Sequence, residues 1–105
     1  MPSHESVAQR IDAIEAEMRR IGLWQEEAPD PERLRFTRAF AGDTMTFEQW
    51  LQFIFIARVR EIVAARGEFP SRSQVAAQAV REFDGFDEAS GLISLLSEFD
   101  SQFDV

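Results

Sequence analysis

At 105 residues, 45% hydrophobic and 29% charged, the chain has the size and composition of one globular domain, residues 1–105, with enough apolar material to build a core unaided. It has no cysteine, which excludes a disulfide scaffold, a thiol nucleophile and Cys-ligated metal sites, and a net charge of −8 leaves no basic footprint for direct nucleic-acid binding. No run approaches the roughly 20 apolar residues that span a bilayer, and the opening MPSHESVAQR lacks the apolar core of a signal peptide, so a cytoplasmic protein without membrane contact is expected.

The first segment places Val7, Ile11, Ile14, Met18 and Ile21 at helical spacing, with Arg10, Asp12, Glu15, Glu17, Arg19 and Arg20 mostly off that stripe. Glu15 and Arg19 form an i,i+4 pair, and Gly22 supplies a left-handed stop. The stripe is too short for a coiled coil and predicts a bundle helix.

From Leu23 to Met45 the periodicity is lost. Pro29, Pro31 and Gly42 and the acids Glu26, Glu27 and Asp30 mark a long, partly ordered connection. A structureless loop of this length is unusual in a compact domain, so Trp24, Leu34, Phe36 and Phe40 are expected to pin it. Asp30 followed by Pro31 is also the start of one helical turn.

The second helix has the clearest start. Thr46 with Gln49 makes a capping box, Met45 with Trp50 makes a hydrophobic staple, and Phe47 is therefore the first helical residue. Gly67 and Pro70 are expected to end it. At 100° per residue, its apolar residues from Phe47 to Val63 cover nearly the whole circumference. Either other segments surround this helix, or part of its aromatic surface is left for a partner.

A shorter helix is predicted from Ser71 or Ser73, with Val75, Ala76, Ala79, Val80 and Phe83 inward. After the turn Asp84-Gly85-Phe86-Asp87, with Asp87 as N-cap, Leu92, Leu96, Phe99 and Phe103 mark a fourth helix whose first turn Gly91 weakens. No alternating run makes a strand. The expected architecture is all-α: a four-helix bundle with a long, partly ordered connection between helices 1 and 2.

Candidate chemistry is sparse. His4 is the only histidine and lies in a terminal stretch expected to fray; no second His or Cys accompanies it, so no metal site is expected. Asp84, Asp87 and Glu88 lack the ligand spacing of a calcium loop. No nucleophile elbow or phosphate-cradling loop is present, so neither a cofactor nor catalysis is expected. Arg58 stands out. On a regular helix it falls within the apolar face of Phe47, Leu51, Ile54 and Ile62, where it must pair internally, with Asp43 or a C-terminal acid, or anchor a partner or anion. Trp24, Trp50 and the phenylalanines read as core rather than as base-stacking platforms, because no basic groove interleaves them.

Phe40, Asp43-Thr44-Met45, Trp50-Leu51-Gln52 and Arg58 form one extended motif: Phe, two residues, Asp-Thr-Met, four residues, Trp-Leu-Gln and an apolar stretch closing on arginine. This motif resembles that of the YqcC-like family of small bacterial proteins. Outside it, the chain length, the opening helix and the Trp24 region are similar in pattern. Ala57 stands where some members carry proline, so no helix kink is implied there. The resemblance implies a compact helical bundle with no assigned activity and no catalytic residues to carry over. Genes of the family often lie beside one for a tRNA pseudouridine synthase, which implies an accessory role.

The expectation is therefore a non-enzymatic cytosolic helical module that binds a protein, the tRNA pseudouridine synthase or a second copy of itself. Asp43, Thr44, Trp50, Gln52 and Arg58 are its candidate partner- or ligand-binding residues. The alternative is a small-ligand binder or enzyme with an acidic/Arg pocket near Asp43 and Arg58.

Overall fold

A computed structural model describes residues 3–27, 46–70 and 72–103. The chain is all-α, and its helical segments pack as a four-helix bundle with no strand among the described residues. The connection expected between the first two helices lies, from residue 28 to 45, outside the described residues. With it lie Asp30, Pro31, Leu34, Phe36, Phe40, Asp43, Thr44 and Met45.

Helix α1, His4–Arg20, starts at Ser3, whose Oγ accepts the Ser6 N–H at 3.0 Å. The predicted stripe is its inner face: Val7, Ile11, Ile14 and Met18 are buried. It ends in a Schellman motif, in which Leu23 N–H donates to Met18 O, Gly22 N–H donates to Arg19 O, and Gly22 adopts φ 78°. His4 does not fray. It opens α1, its Nε2 donates to the Gly67 carbonyl at 2.9 Å, and its ring lies 4.9 Å from that of Phe69.

The central rod spans 47–65 and is built from α2 (Phe47–Trp50), a π-helical segment (Leu51–Ile56) and α3 (Ala57–Ala65). Both bonds of the Thr46–Gln49 capping box are made, so the rod starts at Phe47 as the sequence predicts. Its inner face departs from the sequence expectation. A π-helix closes i→i+5 bonds and so carries an extra residue in its turn, which rotates everything downstream of Leu51 relative to a regular 100° count. Ile56 and Val59 are thereby turned inward, whereas Ala57 and Arg58 are exposed. Arg58 therefore lies outside the buried face and forms no ion pair among the described residues; Asp43, an expected partner, is not one of them.

The end of the rod also differs by one residue. Gly67 N–H donates to Ile62 O and Arg66 N–H to Val63 O, a second Schellman motif. Its left-handed position is Arg66, φ 54°, not a glycine.

Helix α4, Val75–Glu82, begins later than Ser73, and Ser71 lies outside the described residues. Val75, Ala79 and Phe83 are buried, but Val80, expected inward, is 56% exposed. Eight residues span little more than two turns, and the turn-by-turn face through 75, 79 and 83 leaves 80 on its outer edge. After a turn with Gly85 at φ 85°, a 3₁₀ turn, Asp87–Ala89, leads into α5, Ser90–Ser101. No side chain caps α5, so Asp87 is the first residue of the 3₁₀ turn and not an N-cap. Leu92, Leu96, Phe99 and Phe103 are buried, as their spacing predicts. Gly91 lies where α5 meets α1: a Cβ there would stand 2.8 Å from a Glu17 carboxylate oxygen.

Helix α5 packs against both α1 and α4, and α1 also packs against α3. Aromatic contacts run through the core, with Phe55 edge-on to Phe99 at 5.2 Å, Phe47 edge-on to Phe83 at 5.4 Å and Phe69 edge-on to Phe103 at 5.7 Å.

Candidate interaction surface

Two of the motif residues that sequence reasoning singled out, Asp43 and Thr44, lie outside the described residues, and the structure distributes Trp50, Gln52 and Arg58 over three different environments. Gln52 is 7% exposed, and its amide is spent on one backbone unit: Nε2 donates to Gln25 O at 2.7 Å and Oε1 accepts the Gln25 N–H at 2.9 Å. The side chain imitates a neighbouring strand and fastens the segment after α1 to the rod. Gln49 adds a bond from its Nε2 to Gln25 Oε1 at 3.3 Å. Gln52 is thus a strut inside the molecule. Its two polar atoms face Gln25 rather than a partner.

Arg58 is exposed at the start of α3 and forms no ion pair among the described residues. Its placement differs from that of most arginines here. Arg60 reaches both Asp12 at 3.2 Å and Glu15 at 2.6 Å, tying α3 to α1. Arg19 bonds Glu15 at 2.9 Å and lies 4.9 Å over the Trp24 ring. Arg10 meets Glu98, Arg20 meets Glu17, and Arg66 meets Glu5. The three arginines left without a carboxylate among the described residues are Arg58, Arg72 and Arg81.

Burial pushes the Glu15 carboxyl up, but hydrogen bonds from Arg19 and Arg60 outweigh it and hold the group below its usual value. The Arg20 hydrogen bond does the same for Glu17 against a smaller desolvation cost. These shifts belong to the α1 ion-pair network and mark no reactive centre.

Trp50 is half-buried and stacks on Phe55, with centroids 5.7 Å apart and an interplanar angle of 23°. The two rings form one wall of an open cleft of about 360 Å³, completed by Pro70, Arg72, Ser73, Gln74 and Val75. Arg72, Ser73 and Gln74 also line an adjoining hollow of about 230 Å³ with Ser97, Asp100 and Ser101. Beyond Gln74 the surface continues along α4 past Ala77 and Gln78 to Arg81. The cleft adjoins a strip that holds Arg72 and Arg81, two of the three arginines without a carboxylate partner among the described residues. Sequence reasoning found Trp50 but missed Arg72 and Arg81, because nothing local marks an arginine as unpaired; that depends on which acids the fold brings near. Among the described residues no group of three His, Asp or Glu side chains is placed to hold a metal ion, and no helix is long and apolar enough to cross a membrane.

The chain matches, over residues 6–102, a family model described as tRNA pseudouridine synthase C. It is 30% identical over 76 residues to the uncharacterized protein YqcC of Escherichia coli, a match covering 72% of this chain and 70% of that one. The chain belongs to the YqcC-like family. An uncharacterized Haemophilus influenzae protein is 26% identical over 88 residues, covering 84% of this chain and 83% of its own length. A tRNA pseudouridine synthase C of Pectobacterium carotovorum is 31% identical over 70 residues, which cover 67% of this chain but 19% of that protein. No solved structure matches.

Proposed function

We propose that this YqcC-like chain is a non-enzymatic helical module that works as an accessory to a tRNA pseudouridine synthase by binding it. The observation that carries this reading is the Pectobacterium match: a segment similar to this chain makes up 19% of a protein named tRNA pseudouridine synthase C, and the remainder of that protein is something else. A module tethered to a second unit sits at an effective concentration in the millimolar range. A separate chain doing the same work has to bind its partner through a surface of its own.

The physical character of the chain fits that role. A net charge of −8 makes direct RNA binding unfavourable, so substrate RNA is left to the partner. Arg58 is exposed at the start of α3, and Asp43, the other residue of the alternative ligand pocket, lies outside the described residues. Size-exclusion chromatography with light scattering, on the purified chain alone and mixed with the synthase of the same organism, tests the proposal. A complex with the summed mass that survives dilution is expected. Independent elution at micromolar concentrations of both proteins overturns the reading, and the mass of the chain alone then reports whether it pairs with a second copy.

A further inference from the structure

We draw no further inference here: the strongest candidate, the polar hollow at the N-terminus of α4 lined by Arg72, Ser73, Gln74, Ser97, Asp100 and Ser101, rests on a helix end that Asp100 already caps through the Val75 and Ala76 N–H groups, and no second observation points to a ligand there.

Discussion

Asp100, in the last turn of α5, accepts the backbone N–H of Ala76, the second residue of α4, at 2.8 Å. Its other oxygen takes the Val75 N–H at 3.2 Å and the Ser73 hydroxyl. Helix α4 therefore receives its N-cap from another helix, while Gln74, in the cap position, makes no capping bond. Eight residues are too few to be helical alone, so this cap and the burial of Val75, Ala79 and Phe83 together hold α4 in place.

Asp100→Ala removes the cap and leaves two N–H groups to water or to nothing. A loss of about 1–2 kcal/mol is expected, with Asp100→Asn, which keeps one acceptor, losing about half of that. Urea unfolding followed by circular dichroism measures it. An unchanged midpoint for the alanine variant would show that α4 is held by packing alone.

Such a cap is unreadable in sequence, because caps are recognised by residues adjacent to the helix and Asp100 is 24 positions away from Ala76. What could be read was local and periodic. The α1 stripe, the Thr46–Gln49 box and the Leu92, Leu96, Phe99, Phe103 repeat each rest on contacts within a few residues, and each is found as expected. The reading of the rod failed at Leu51, where the helix stops being regular: nothing in Leu-Gln-Phe-Ile-Phe-Ile announces an extra residue in the turn, and every angular position after it shifts. At the candidate site, Trp50 was legible as an aromatic at a helix start. The cleft was not, since Pro70, Arg72 and Val75 reach it only through tertiary packing.

The rotated rod makes Arg58 a test of that account. An arginine buried in the apolar face would be costly to replace and sensitive to its partner, whereas an exposed, unpaired one is worth almost nothing. Arg58→Met is expected to change stability by less than about 0.5 kcal/mol, and Val59→Ala, at the neighbouring buried position, to cost about 1–3 kcal/mol. Comparable losses in thermal unfolding would contradict the π-helical register.

Arg66 occupies the left-handed position of a Schellman motif that α1 fills with Gly22. A side chain at positive φ costs about 1–2 kcal/mol, partly offset on substitution by the greater freedom glycine has when unfolded. The ion pair to Glu5 that would be lost is exposed at both ends and contributes little. Arg66→Gly should stabilise the protein by about 0.5–1 kcal/mol. A lower melting temperature would mean that the Glu5 contact outweighs the backbone term.

Stability should fall in acid through the α1 network. Burial works against the charged form of Glu15, yet the hydrogen bonds from Arg19 and Arg60 hold its pKa below the ordinary 4.5, and Arg20 lowers Glu17 in the same direction. A depressed native pKa means that the unfolded chain binds more protons in this range, so the contribution is complete above about pH 4.5 and is lost as the pH drops through the native values. Melting temperatures measured from about pH 7 down to about pH 3 should decline chiefly below that point. Glu15→Gln should start lower at neutral pH and decline less steeply. Parallel curves for the two proteins would remove Glu15 from the acid response.

Gln52 carries the last prediction. Its amide satisfies both the N–H and the carbonyl of Gln25, so removing it strands two backbone groups at a partly buried site. Leaving such groups without partners costs about 1–3 kcal/mol, and Gln52→Met, which keeps the shape, isolates that term from cavity formation. Gln52→Glu should be worse than its isosteric form suggests, because a carboxylate can accept from Gln25 N–H but only repels Gln25 O. The loss has a local reporter. Trp24 is adjacent to Gln25 and packs against the core beneath Arg19, so release of the segment exposes its indole. In a Trp50→Phe background, Gln52→Met is expected to shift Trp24 emission to the red under conditions where far-ultraviolet circular dichroism is unchanged. An unshifted spectrum would show that Trp24 and the Arg19 contact hold the segment without the glutamine clamp.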